Sequence, residues 1–226
     1  MPKPTFLKLP DDKRERFVQA AVREFALKPY DLASVTRVVA DLGIAKGSVY
    51  QYFADKFDLF QWLVEESSRR KMVTLGTSVV PMGGFWDQLR SMHVTGLRFR
   101  HSHPLWSQLA VRMLEPSKEP RLEALRHQRE AATKAYMLQM FANAQKLGVV
   151  RDDVDVQTAA HLAQGLLGQG LTDAFLARKG LDTHTLLNDP NRADDLTAED
   201  VDATVDLAIG ILMAGLALNT GPLTSR

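Results

Sequence analysis

Apolar residues recur along this 226-residue chain with the period of an α-helix, and no stretch shows the alternation of a strand. Val18, Ala21, Val22 and Phe25 share one face of a helix that begins after Pro10. Asp11 and Asp12 serve as its capping residues, and their charge suits the positive helix end. Pro29 ends this helix, because proline forces the preceding residue out of the helical region. Ser34 caps a short second helix carrying Val35, Val38, Val39 and Leu42, which Gly43 closes. A third short helix spans about 45–52. Asp55 caps a fourth, with Phe57, Phe60, Leu63 and Val64 as its stripe. "VVPMGG" (79–84) is a breaker cluster and the best boundary by composition. Pro104 opens a helix at its first position. "EPSKEP" (115–120) precedes the longest helix, roughly 120–147, which stops at Gly148. Asp153 or Asp155 caps another that runs to about Lys179. The segment 180–196 reads as a loop. Thr197 and Asp200 form a capping box for a last helix reaching about Asn219. The fold class is all-α: an N-terminal three-helix helix-turn-helix domain and a C-terminal helical domain.

Composition narrows the function. The chain has no cysteine, which removes disulfides and thiolate metal sites and suits a reducing compartment. "MPKPTFLKLP" lacks the apolar run of a signal peptide, and no run of about 18 apolar residues could span a membrane. A cytoplasmic location is therefore expected. The net charge of +1 hides an asymmetry: residues 1–56 hold ten Lys/Arg against seven Asp/Glu. A basic N-terminal quarter suits a polyanion partner.

That quarter contains "GIAKGSVYQYFADKFDLF" (43–60). A phosphate-binding loop needs G-x-x-x-x-G-K-[ST] after a strand. Here Lys46 precedes the second glycine and the flanks are helical, so the match fails. Two short helices joined at Gly43 instead fit a helix-turn-helix. On the third helix, Lys46, Gly47, Ser48, Tyr50, Gln51 and Tyr52 cover one broad exposed surface. Val49 faces the other way, and Phe53 follows it into a core with Ile44, Val39 and Phe25. Lys46 can neutralise a phosphate, and Ser48 and Tyr52 can hydrogen-bond phosphate oxygens. Tyr50 and Gln51 can reach base edges in a major groove. Gly47 allows close approach to the backbone. Lys56 opens the fourth helix, where free N–H groups already favour an anion.

The run "FVQAAVREFALKPYDLASVTRVVADLGIAKGSVYQYFADKFDLF" resembles, without gaps over about residues 16–62, the DNA-binding domain of the Tet repressor (TetR) family. The most specific part is Gly43 to Phe53, followed by Lys56 and Leu59. The resemblance implies an all-helical homodimeric repressor, with residues 1–56 as the DNA-binding domain and 57–226 for ligand binding and dimerisation, joined by helix 55–75. It also implies phosphate contacts from Ser34, Thr36, Arg37, Lys46, Ser48, Tyr52 and Lys56, and groove contacts from Gly47, Tyr50 and Gln51. Four positions depart from the family pattern. Pro29 stands for a common glycine, Ala33 for a threonine, Val39 for an alanine, and Ala45 for a Ser/Thr cap whose loss weakens the start of the recognition helix.

The last two helices, "AAHLAQGLLGQGLTDAFLA" (159–177) and "ATVDLAIGILMAGLALN" (203–219), are too apolar for the solvated surface of one chain. Their glycines each cost about 1 kcal/mol in a helix interior, which close helix–helix approach would offset. We expect a two-fold four-helix interface using Leu162, Gly165, Leu166, Gly168, Gln169, Leu207, Gly210, Ile211 and Ala214. Between them and the N-terminal domain, Trp86, Leu89, Met92, His93, Gly96, Phe99, Trp106, Leu109, Met113, Tyr136, Met137, Met140 and Phe141 are large and mostly apolar. The resemblance implies that some of them line a ligand pocket, with Arg112, Gln108, Gln164 and Gln169 as polar anchors and a small apolar or amphipathic effector, such as a fatty acyl compound. Most such residues form plain core. His93, His101 and His103 lack a carboxylate at helical ligand spacing, so no metal site is expected. No cofactor or catalytic motif is present. The resulting expectation is a ligand-responsive repressor on a palindromic operator. A lipid-sensing regulator of the same family, helped onto DNA by its ligand, is one alternative. A helical metal-dependent enzyme is the other.

Overall fold

The computed structural model describes residues 1–40, 42–74, 83–189, 192 and 195–217. It is built from helices. The one β pairing among the described residues is an isolated bridge between Val150 and Ala217. The chain forms two compact units, one of residues 1–77 with 102–128, the other of 78–101 with 129–226.

The first unit begins with a short helix, α1 (Pro4–Leu7), absent from the sequence reading. α2 (Asp11–Leu27) follows; Asp11 and Asp12 lie inside its first turn, while Pro10 occupies the cap. Its end is where Pro29 puts it, with Lys28 extended. A single 3-10 turn at Tyr30–Leu32 leads to α3 (Val35–Ala40), α4 (Lys46–Tyr52) and α5 (Lys56–Thr74). The Asp55 side chain accepts from the N–H of Asp58 at 2.9 Å, the cap expected there. α7 (Pro104–Met113) packs on α2 and α5, with Pro104 at its first turn. Ser67 donates to the Trp106 carbonyl at 2.8 Å, and the Arg70 guanidinium lies over the Trp106 ring. Phe6, fully buried, is ringed by Phe17, Tyr52, Phe53 and Trp62 at centroid distances of 5.0–5.9 Å.

α8 (Pro120–Lys146) gives its first part to this unit and the rest to the second. It stops at Gly148, whose φ of +67° is a left-handed conformation that glycine adopts without penalty. The second unit also holds α6 (Phe85–Ser102), α9 (Val156–Gly165), α10 (Leu171–Ala177), α11 (Thr183–Asn188) and α12 (Ala198–Leu216). Leu89, Leu97, Phe141, Ala163, Phe175, Val201 and Val205 form its core. Asp155 caps α9 by accepting from the Thr158 N–H at 2.8 Å.

Two helix assignments change. The helix expected from 155 to 179 is broken: Leu166–Gly170 form a π-type turn, with Gly168 at φ −86°, ψ −114°. Three glycines within six residues make that excursion inexpensive, and the apolar period runs through it unaltered, which hid it. The loop expected over 180–196 contains α11, capped by Asp182 on the Thr185 N–H and anchored by buried Leu186 and Leu187. Six residues are too few for a periodic signal. Most of the 79–84 boundary, and the end of the last helix beyond 217, lie outside the described residues.

The capping box on α12 is formed in full: Asp200 N–H donates to the Thr197 hydroxyl oxygen, and the Thr197 N–H donates to the Asp200 carboxylate. Thr197→Ala should lower stability by about 1 kcal/mol in urea titrations, and Thr197→Ser should restore most of it.

Candidate nucleic-acid interface

α3 and α4 are joined by a tight turn. The Gly43 N–H donates to the Ala40 carbonyl and the Ile44 N–H to the Val39 carbonyl, the paired bonds of a Schellman end, with Gly43 at φ +66°. An alanine at position 43 would be strained there. Ile44 does not join the core, as the sequence suggested. It is 36% exposed, because the left-handed residue before it turns it to the outer edge of the unit. Phe25, Val39, Val49 and Phe53 are buried as expected.

α4 presents Lys46, Gly47, Tyr50 and Gln51 to solvent, with Ser48 and Tyr52 half-buried. Val49 is the plug beneath. At its start Ala45 offers no side chain to the free N–H groups, so the expected loss of a cap is real. At its other end the helix is held from outside. The Lys3 N–H donates to the Tyr52 carbonyl at 2.8 Å, Lys3 Nζ to the Tyr50 carbonyl at 2.7 Å, and the Thr5 hydroxyl to the Gln51 carbonyl. Three successive carbonyls left open by the helix end are thereby satisfied, and the Lys3 ammonium sits at the negative end of the dipole. Lys3, Thr5 and Phe6 were missed by sequence reasoning. Their only signal was the "KPTF" order, a proline at a helix start followed by a large apolar residue.

α3 is tied down by Glu24 of α2. One Glu24 oxygen accepts from the Ser34 N–H and from Arg37 Nε, both at 2.8 Å. The other accepts from Lys28 Nζ at 2.9 Å. Arg37 also donates to the Leu32 carbonyl. Burial raises the Glu24 carboxyl, but the hydrogen bonds from Lys28, Arg37 and Ser34 outweigh it, and the pKa lies below the ordinary carboxylate value. Thr36 is exposed beside them. Lys56 lies with its ammonium 4.4 Å from the Tyr30 ring centre; burial lowers its pKa, opposed by Asp31, Glu24 and Glu119. Nearby, Asp31 accepts from the Ser117 hydroxyl and the Lys118 N–H, and Arg121 pairs with Asp55 and Glu119. The 117–121 segment thus braces the turn before α3 and the start of α5.

The residues expected to line a ligand pocket divide between the units. In the first, Trp106, Leu109 and Met113 are buried, and Arg112 donates to the Ala26 carbonyl at 2.9 Å and pairs with Glu115. Gln108, also buried, has no partner for its carbonyl oxygen among the described residues. In the second, Leu89, Phe99, Met137 and Phe141 are buried, Trp86, Met92 and Met140 partly so, and Tyr136 is exposed. Gly96 is partly buried, and a ring nitrogen of His93 lies 2.7 Å from the Leu89 carbonyl. Met137 and Gln164 meet in a groove with Lys134, Leu138, Gln157, Ala160 and His161. Gln169 donates to Asp173. No group of three His, Asp or Glu residues suited to a metal occurs among the described residues.

An exposed short helix that follows a tight glycine turn and rests on a two-helix support defines a helix-turn-helix DNA-binding protein. Residues 17–63 match the family model of bacterial regulatory proteins of the tetR family. The chain is 29% identical over 193 residues to the HTH-type transcriptional repressor AcnR of Corynebacterium diphtheriae, covering 84% of this chain and 91% of the relative. A TetR family transcriptional regulator from Chloroflexus aurantiacus is 28% identical and superposes with a TM-score of 0.76, covering 96% of this chain and 99% of that one. The fatty acid degradation regulator FadR from Bacillus halodurans, at 16% identity, a TM-score of 0.59 and coverage of 89% and 98%, shares the fold. Residues 17–63 thus resemble the DNA-binding part of tetR-family regulators, and over most of its length the chain is similar to transcriptional regulators of that family.

Glu24 makes the support of α3 pH-dependent. Its lowered pKa means its stabilisation is complete above the ordinary carboxylate pKa and is lost as pH falls through the folded value. Glu24→Ala should cost about 1–3 kcal/mol at neutral pH. In urea titrations across an acidic pH series, that gap should close as pH falls.

Proposed function

We propose that two copies of the chain bind a palindromic operator through paired α4 helices and that a small amphipathic acid releases them. The exposed face of α4 carries the DNA reading. Tyr50 and Gln51 point to solvent, where they can meet base edges, while Lys46 supplies charge for a phosphate. Anisotropy titrations on DNA from the protein's own upstream region test it. Tyr50→Ala should narrow the gap between operator and unrelated duplex. Lys46→Ala should weaken both alike and make the dependence on salt shallower. Identical behaviour of the two variants would contradict this division of roles.

The dimer reading rests on an apolar face of the second unit. Leu162 is 64% exposed, Leu207 63% and Ile211 56%. Ala214, Gly165, Gly168, Gln169 and Gly210 are exposed as well, with Leu166 half-buried. A Cβ placed at Gly165, Gly168 or Gly210 meets nothing within 4 Å, so in the single chain these glycines leave room that another helix can enter. A second copy of the same face supplies that helix and closes the assembly by two-fold symmetry. Leu207→Glu with Ile211→Glu should turn the dimer into a monomer in light-scattering chromatography and strongly weaken operator binding.

The acidic character of the effector rests on Arg100. It is half-buried on α6, and its side chain has no hydrogen bond or ion pair among the described residues. Its neighbours Arg90 and Arg98 pair with Asp206 and Asp202. Burial lowers the Arg100 pKa, only partly offset by Asp173, whose carboxylate already accepts from Gln169. A guanidinium held out of water without a partner is costly and favours an anion that can bring one. Effector binding would favour a dimer state whose α4 helices are mis-spaced for the operator. In thermal-shift assays, sodium octanoate should stabilise the protein more than octanol does, and Arg100→Met should remove the difference. An equal shift from both compounds would contradict an acidic head group.

A further inference from the structure

The DNA-facing surface extends past the residues assigned so far. Beside α4 lies a groove of about 280 Å³, lined by Leu9, Lys13, Arg16, Phe17, Leu42, Ile44 and Tyr52. Its floor is apolar: Phe17 is buried, and Ile44 is the residue that the turn at Gly43 pushes outward. Its rim is basic. Lys13 and Arg16 are exposed, and neither forms an ion pair among the described residues, although Asp12 stands one turn before Arg16. Several other cations of this unit are committed: Arg14 to Asp11, Lys28 and Arg37 to Glu24, Arg70 to Glu15 and Glu66. Tyr52 belongs both to this groove and to α4, so the groove continues the reading surface.

We infer that this groove holds the sugar–phosphate strand bordering the DNA groove that α4 enters. The chemistry of the two surfaces matches in alternation. Phosphates meet Lys13 and Arg16, which stand on one face of α2, three residues and about 5–6 Å apart. The apolar faces of the deoxyriboses meet Ile44 and Leu42. One strand offers a phosphate every 3.4 Å of axis, so the pair can engage two of them. These contacts carry no sequence information; they set register and strengthen binding.

The test is the salt dependence of affinity for the full-length protein, measured by anisotropy on the upstream DNA and on an unrelated duplex. Lys13→Ala and Arg16→Ala should each lower the magnitude of the slope of log K against log salt by about one, and by the same amount on both duplexes. The double variant should lose about two. Ile44→Ala should weaken binding with the slope unchanged, because its contact is apolar. Arg23→Ala, two turns further along α2 and also exposed, should leave the slope as it is. Slopes unaltered in Lys13→Ala and Arg16→Ala overturn the inference and leave the groove to a non-DNA partner. An equal change from Arg23→Ala also overturns it, by showing only a general effect of charge. The wild-type titration comes first and separately tests whether the chain binds this DNA at all.

Discussion

A helix of seven residues, with a glycine inside it and no side chain to cap its start, has almost no stability of its own. α4 is such a helix, and it must keep one fixed face toward solvent. Its persistence comes from outside. A left-handed glycine turn sets its entry, Val49 and Phe53 are sunk beneath it, and the Lys3–Phe6 segment closes its far end with three hydrogen bonds and one fully buried ring. The residues that can touch DNA are thereby relieved of structural duty. The side chains of Lys46, Tyr50 and Gln51 make no hydrogen bond or ion pair among the described residues and face solvent, where the proposed recognition needs them.

The same logic reaches the rest of the first unit. Glu24 ties α2 to α3, and Asp31, Asp55 and Arg121 tie the 117–121 segment to the turns around them. These contacts are mostly polar and fairly exposed, so each contributes modestly. Together they fix angles rather than supply bulk stability, which the aromatic cluster around Phe6 and the α2–α5–α7 packing provide.

What the sequence showed and hid follows the range of the forces. Most helix starts were legible: Asp55, Asp155 (one of two candidates) and the Thr197–Asp200 box cap by local hydrogen bonds and Pro104 opens its helix, whereas Asp11 and Asp12 fall inside α2 instead of capping it. So was the inward and outward division of α4 at Val49, Lys46 and Tyr50. Features that depend on distant partners were not. Nothing in "PKPTF" says that its amine, hydroxyl and ring will meet carbonyls and aromatics some fifty residues on. The outward turn of Ile44 depends on backbone geometry at Gly43, and the break at Gly168 lies inside an unbroken apolar period. Nothing in the residue order marks Arg100, and only in three dimensions is it visible that its side chain has no hydrogen bond or ion pair among the described residues.

The second unit carries two features that motivate the proposal: an apolar helix face open to solvent and a half-buried guanidinium with no partner among the described residues. The proposed second copy would cover the first, and the proposed acidic effector would pair with the second. The most direct test of the account is a hydroxyl-radical footprint of the full-length protein on the DNA upstream of its own coding sequence. The account predicts two protected patches on one face of the duplex, centred a whole number of helical turns apart over inverted half-sites. A single unpaired patch, or uniform protection without sequence preference, would contradict it.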